Sequence, residues 1–359
     1  ERMPAVTAAG LFYTIRLKPG LTFIPAPGFP DPHGRAVRAE LLVFSIKRHF
    51  VPENRAPGAW LWQGRIVGLD DWKKNGSDYD RPVSGLRALD ERTIQIQLIS
   101  PFPQLTHTLA QGYSAIVPRE AVDRYGQELA IHPVGSGPYR LLVLNNASSV
   151  LIRNTRFRQE PFSLETEGFN PETQSGLGLE GLEGRVPPFT DRLEVEFIAE
   201  DAARWNSFIA GEVDFVKVPV TQFDQVLSDR NPPQLAPALA EKFHLSANLE
   251  SGFVHTDFNM DDQRIGYHPD PDQDARNKAL RCAIIKGFDW NRRNEVFYYG
   301  IGKVFPGIIP PVAPEFDPRQ DSRSITRDLD GARSLLNRFG WNAGNLPVLE
   351  YGFPSSVTA

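Results

Sequence analysis

A single cysteine, Cys282, stands in the 359 residues of the chain. That excludes an intrachain disulfide and any zinc site built on thiolates, and a lone thiol on a predicted helix reads as small core filler. Excess positive charge is missing too. Thirty-nine bases face 44 acids, and a net charge of -5 argues against a nucleic-acid partner. No apolar run reaches the roughly 18 residues of a membrane span. No basic, apolar leader opens the chain, which begins Glu1-Arg2-Met3-Pro4, so a mature or trimmed N-terminus is expected. The seven histidines contain no zinc-hydrolase motif. Neither a metal nor a cofactor is expected.

Two strings mimic catalytic motifs. Residues 176–181 (GLGLEG) fit G-x-G-x-x-G letter by letter. No strand runs into them, and Pro187-Pro188 blocks the helix that should follow, so a flexible insertion is the better account. Gly135-Ser136-Gly137 is preceded by Val134, where a nucleophile elbow needs its first glycine. The acid pairs Asp70-Asp71 and Asp261-Asp262 are adjacent in sequence, so they read as solvated surface.

What is present is periodic structure punctuated by 31 prolines, clustered at 25–32, 187–188, 232–237 and 306–318. Residues 11–17 alternate Tyr13, Ile15 and Leu17 against Thr14 and Arg16, a half-buried strand. Residues 36–50 set Val37, Leu41, Phe44 and Ile46 near helical spacing, closed by Pro52. Within 83–100, Ile94, Ile96 and Leu98 face one way along a strand. Residues 118–125 form a short helix with Pro118 at its start and Gly126 at its end. Residues 193–198 and 213–218 read as strands. Residues 275–290 carry Leu280, Ile284 and Phe288 on one stripe, with Asp274 as N-cap. Leu329, Ala332, Leu336 and Phe339 repeat the pattern, capped by Gly340. Residues 304–314 cannot be regular, because four prolines interrupt them.

The stretch that organises the chain is residues 132–142, HPVGSGPYRLL. Pro133 and Pro138 bracket two glycines that can take positive φ, and Ser136 can bond a neighbouring backbone group. Taken alone, this is turn chemistry ahead of a strand. As a string it resembles the "PVGTGPY" signature of family 5 extracytoplasmic solute-binding proteins, the peptide- and nickel-binding receptors of ABC importers. Eight further segments keep the family's order. They are YTIRLKPG from Tyr13, AELLVFSIKR from Ala39, ALDERTI from Ala88, IVPREAV from Ile116, GEVDF from Gly211, DFN from Asp257 and the two helices near 275–290 and 327–341. Leu41 stands where the family has an acid, and residues 159–190 carry an extra Glu/Gly-rich insertion. The family's N-terminal and C-terminal portions are expected to be missing.

The resemblance implies an α/β, periplasmic-binding-protein-like fold, with two mixed-sheet lobes joined by a hinge and an extra small α+β domain. Residues 1–137 would be that small domain, 138–249 the returning part of lobe one, and 250–359 the incomplete N-terminal part of lobe two. The implied function is capture of a small ligand, foremost a peptide, between the lobes and its delivery to a membrane permease with its ATPase. The receptor would work as a monomer. The implied location is periplasmic or extracytoplasmic, with anchoring through a lipid on the missing N-terminus. A hydrolase using two carboxylates and a peptide sensor or chaperone are the competing readings. Four residues are candidates for the ligand cleft. Trp60 offers a flat apolar wall, or packs on the small domain's core. Lys217 can meet a ligand carboxylate, or is a solvated charge. His255 and Asp257 share one face of the hinge strand, where Asp257 can take a ligand amine, or both hold the hinge by structural hydrogen bonds.

Overall fold

The computed structural model describes residues 3–7, 9–29, 31, 34–175 and 177–352. Pro30, Pro32 and Gly176, the first glycine of the GLGLEG string, lie outside them. The chain divides into two compact units, Glu1–Ile198 and Ala199–Ala359.

In the first unit, strands β1 (Ala5–Val6), β2 (Phe12–Arg16), β3 (Leu86–Ala88) and β4 (Thr93–Gln97) form an antiparallel sheet ordered β1-β2-β4-β3. Tyr13 pairs with Ile96 and Ile15 with Ile94, and Ile94, Ile96 and Leu98 are all buried, as the alternation predicts. Gly85 is required by close approach: its N–H donates to the Val67 carbonyl, and a Cβ there would lie 2.7 Å from that oxygen.

Helix α1 (Ala39–Arg48) packs on this sheet. Leu42 and Ile46 enter a core with Trp62, Ile66 and Leu69, whereas Leu41 turns into a second, smaller core with Phe23 and Val37. Leu41 is 3% exposed, so the acid usual at this position would be buried without solvent. Short helices α2 (Leu69–Lys74), α3 (Leu105–Ala110) and α4 (Arg119–Tyr125) follow. Pro118 sits at the N-cap of α4 rather than inside its first turn, and Gly126 ends it at φ 52°.

The turn at 132–142 leads directly into β5 (Tyr139–Leu144), which pairs with β6 (Ser148–Arg153), itself paired with β7 (Arg192–Glu196). Neither Gly135 nor Gly137 has positive φ, and Ser136 makes no hydrogen bond among the described residues. The turn is held instead by what surrounds it. The Gly135 carbonyl accepts from Ile24 N at 2.9 Å, and the buried Asn154 amide donates to the Gly137 carbonyl at 2.8 Å.

Between β6 and β7 lies the Glu-rich insertion, which includes the one-turn helix α5 (Pro171–Gln174). Its base is closed: Phe162 N donates to Arg185 O at 2.8 Å, Gly184 N to Phe162 O at 2.9 Å, and Phe162 meets Phe189 edge to face. Residues 159–184 hold six glutamates and no lysine or arginine.

The second unit is mostly helix and loop. It contains α6 (Asp201–Ile209), α7 (Phe223–Val226), the hairpin β8 (Leu227–Arg230) with β9 (Pro233–Leu235), then α8 (Pro237–Ala240), α9 (Pro271–Gly287), α10 (Trp290–Tyr298) and α11 (Leu329–Arg338). Helix α9 starts four residues earlier than predicted. Asp270, followed by Pro271, is the N-cap and accepts from Asp272 N and Gln273 N, while Asp274 instead accepts from His268 N. Phe288 falls beyond the helix end, 40% exposed, so the apolar stripe stops at Ile284. Gly340 closes α11 at φ 71°. Residues 213–218 form no strand among the described residues, and Phe215 is 85% exposed. Strand alternation needs a paired neighbour to take up N–H and C=O groups, and none lies alongside.

His49, at the C-terminal end of α1, gives the first unit a pH dependence. Its Nε2–H donates to the Tyr113 carbonyl at 2.7 Å, while Nδ1 is buried without a partner. Burial holds its pKa below 6.5; the Tyr113 carbonyl opposes this and Arg48 adds to it. The unfolded imidazole therefore takes a proton at higher pH than the folded one, and stability rises with pH between the two values. This contribution is full above 6.5 and is lost as the pH falls through the folded value. The expected result is a urea midpoint that falls on acidification in the parent and falls less in His49→Gln. Equal slopes would remove His49 as the cause.

Candidate functional site

The four candidate residues fall in different settings. Trp60 lies in the first unit, on a one-turn 3-10 segment, Ala59–Leu61. It is 61% exposed, while its neighbours Leu61 and Trp62 enter the core. The ring therefore is not core filler. Lys217 lies in the second unit in irregular, exposed chain, and makes no hydrogen bond or ion pair among the described residues.

His255 and Asp257 are brought together. The hinge strand expected at 253–259 does not form: residues 252–258 have no regular structure and pair with no neighbouring strand among the described residues. Contacts between side chains nevertheless bring positions 253, 255 and 257 together. His255 Nε2 lies 3.1 Å from Asp257 Oδ2, and both side chains are largely exposed. The Phe253 ring stands 5.2 Å from the imidazole and meets Phe305 edge to face at 6.1 Å; Phe305 in turn meets Phe316. The result is an aromatic ladder ending at a histidine–carboxylate pair. Phe253 was legible in the same alternation that marked His255 and Asp257. Phe305 and Phe316 come from a proline-broken loop whose sequence carries no period, so no pattern could assign them.

Chemically, an accessible carboxylate oriented by an imidazole and flanked by an aromatic face suits an ammonium group. The carboxylate supplies charge, and the ring supplies apolar and cation–π contact. Among the described residues no group of three histidine, cysteine or acidic side chains is placed to hold a metal ion. No described helix is long and apolar enough to cross a membrane.

Just downstream, a compact loop is pinned to α9. Asn277, fully buried, donates to the Gln263 and Gly266 carbonyls at 2.8 and 3.0 Å. Arg264 clasps both oxygens of Asp262, and this pair holds the Asp262 pKa down to about 2 from 3.8. The clasp's contribution is full above 3.8 and is lost as the pH falls through about 2.

Two depressions lie in the first unit, among others. One, of about 450 Å3, runs beside the 132–142 turn, between the Pro25 and Pro27 segment and β5, where Tyr125 and His132 stack at 4.9 Å. The other, of about 440 Å3, lies between α1 and α4.

Comparison with known proteins identifies the family. The profile described as bacterial extracellular solute-binding proteins, family 5 Middle, matches residues 1–356. The glutathione-binding protein GsiB of Escherichia coli O6:K15:H31 is 28% identical over 341 residues, 94% of this chain and 52% of the relative. GsiB of Salmonella typhi is 27% identical over the same length, so the chain spans about half of the curated relatives it matches. Among solved structures, a periplasmic oligopeptide-binding protein from Borrelia burgdorferi superposes with a TM-score of 0.60 at 18% identity, covering 96% of this chain and 58% of that one. The periplasmic binding protein DppA from Helicobacter pylori, in complex with the peptide STSA, gives 0.57 at 18%, covering 94% and 56%. These likenesses show the periplasmic peptide-binding fold. The chain belongs to family 5 of the bacterial extracellular solute-binding proteins.

Proposed function

We propose that this chain is the ligand-capturing part of an ABC-importer receptor, with a peptide as its foremost ligand class. The carrying observation is the family match over residues 1–356. Relatives named for glutathione, itself a tripeptide, and a neighbour in complex with STSA support the ligand class. An extended peptide offers regular donors and acceptors to a cleft. On this reading residues 1–137 are the accessory small domain, 138–249 part of lobe one and 250–359 part of lobe two. The receptor works outside the cytoplasmic membrane, held there by a lipid, and passes its ligand unaltered to a permease and ATPase. A ligand that touches both lobes only when they close shifts the open–closed equilibrium, and about 5.5 kcal/mol of differential affinity takes it from 1:99 to 99:1.

Phe253, His255 and Asp257 form the proposed ligand contact, with Asp257 taking the peptide's amino group. Trp60 and Lys217 are proposed as an apolar wall and a carboxylate partner. A thermal-shift screen against glutathione, short peptides, oligosaccharides and metal chelates tests the reading. A true ligand at a hundredfold excess over its Kd stabilises by about 2.7 kcal/mol. Stabilisation without turnover supports the receptor, whereas a released product would identify an enzyme. Asp257→Asn keeps the shape and removes the charge. Loss of one charge-assisted hydrogen bond of about 1.5–3 kcal/mol lowers affinity roughly 10- to 100-fold. An unchanged Kd in calorimetry would take Asp257 out of the site.

A further inference from the structure

We propose that the Phe253–His255–Asp257 cluster selects peptides that open with an apolar residue in ordinary α-linkage, and that it disfavours glutathione. This rests on the proposed reading of Asp257 as the partner of the peptide's amino group, and adds the identity of the first residue.

The selection follows from what stands around the carboxylate. The Asp257 side chain is 82% exposed, and His255 Nε2 lies 3.1 Å from one of its oxygens. Among the described residues no lysine or arginine pairs with either group. Beyond the imidazole the surroundings are aromatic. The Phe253 ring keeps 41% of its residue's surface in solvent and is braced edge to face by Phe305. Phe316 meets Phe305 in the same way at 6.4 Å, and both are half-buried, so the exposed ring has support. Such a site offers charge to an ammonium and apolar area to the side chain beside it. It offers no lysine or arginine to a second anion.

Peptide geometry turns this into a choice. The first Cα is one bond from the ammonium, so whatever it carries is set down next to Asp257. In an α-linked peptide it carries a neutral amide and a side chain, and an apolar side chain gains contact with the Phe253 ring. In glutathione the chain runs through the γ-carboxyl group of its glutamate, which leaves an ionised α-carboxylate on that same Cα. That group meets Asp257 as a like charge with no lysine or arginine to neutralise it, and repulsion of this kind is a common source of specificity. The selection separates this chain from the curated relatives named for glutathione, to which it is 27–28% identical.

The test is a calorimetric titration of the chain with two tripeptides, Phe-Ala-Gly and γ-Glu-Ala-Gly. It is run at pH 8, above the range in which imidazole titrates, so that no imidazolium attracts the α-carboxylate. The expected result is Phe-Ala-Gly binding about tenfold tighter. Phe253→Ala lowers that ratio about three- to tenfold, the scale of a lost aromatic contact. Phe253→Leu, which keeps apolar bulk and spares the local packing, lowers it less. Asp257→Asn narrows the ratio as well, because it removes the attraction for one ammonium and the repulsion of the other ligand's carboxylate. Equal affinities, or tighter binding of γ-Glu-Ala-Gly, would overturn the selectivity and leave the peptide-receptor reading standing. A ratio unchanged in all three variants would put the selection elsewhere in the chain and overturn it too. If neither tripeptide binds, the reading of Asp257 as the amino-end partner falls, and this inference falls with it.

Discussion

Trp62→Ala is expected to lower stability by about 3–5 kcal/mol, the range for removing a fully buried large aromatic. Trp62 is 0% exposed and lies in the core shared by α1, β2 and β4, with Leu42, Ile46, Ile94 and Ile96. Against a total of about 5–15 kcal/mol for a domain, such a loss can unfold it. The same residue allows a sharper check, because its indole Nε1 is buried with no hydrogen-bond partner among the described residues. Trp62→Phe keeps most of the ring contact and removes the orphan donor, so it should lose less than half as much as Trp62→Ala. Urea titration followed by circular dichroism measures both. Equal losses would mean that the indole N–H is satisfied and that volume alone is not what Trp62 provides.

Asn277→Leu is expected to cost the second unit about 2–3 kcal/mol, although leucine is similar in size and more apolar. The side chain is a donor to two carbonyls and an acceptor from Gln273 Nε2 at 2.8 Å. Gly266 O keeps a second donor in Arg281, whereas Gln263 O loses the one it has from Asn277. The penalty comes from that stranded carbonyl rather than from lost packing. Gly266→Ala should disturb the same loop by another route, since a Cβ there would sit 2.2 Å from the Met260 carbonyl oxygen. Hydrogen exchange resolves the two effects. Faster exchange at residues 260–267 with α11 unchanged is expected in both variants. Wild-type exchange in Asn277→Leu would show that the amide pins nothing.

Strong local periodicity made much of the fold legible. The alternation around Tyr13 and Ile94, the Ala332, Leu336 and Phe339 part of the α11 stripe and the Gly340 cap are where the sequence puts them, because each depends on a few neighbouring residues, whereas Leu329 at the start of that stripe is exposed. The start of α9 was missed since two aspartates compete for the N-cap, and Pro271 decides for Asp270 by fixing φ at the first helical position. The strand expected at 213–218 failed for a different reason. A strand exists only with a partner, and partners are chosen by distant chain, so alternation there was necessary but not sufficient. The same holds for the candidate site. Positions 253, 255 and 257 are related by local geometry and could be read together, whereas Phe305 and Phe316 arrive by tertiary packing. The α1–α4 depression was invisible in sequence because its charges come from three separate places, Arg35, α1 and α4, none of them a motif.

The closed base of the Glu-rich arm has a practical consequence. Because Phe162 is bonded to Gly184 and Arg185, the chain leaves and re-enters at nearly one point, and what lies beyond is decoupled from the β6–β7 ladder. The arm is therefore a natural graft position, where a fluorophore or an affinity tag can replace residues without moving the sheet's register. It also sets the electrophoretic character of the whole molecule. The five glutamates beyond that base equal the net charge of -5, so excising the arm would turn a mildly acidic chain into a neutral one.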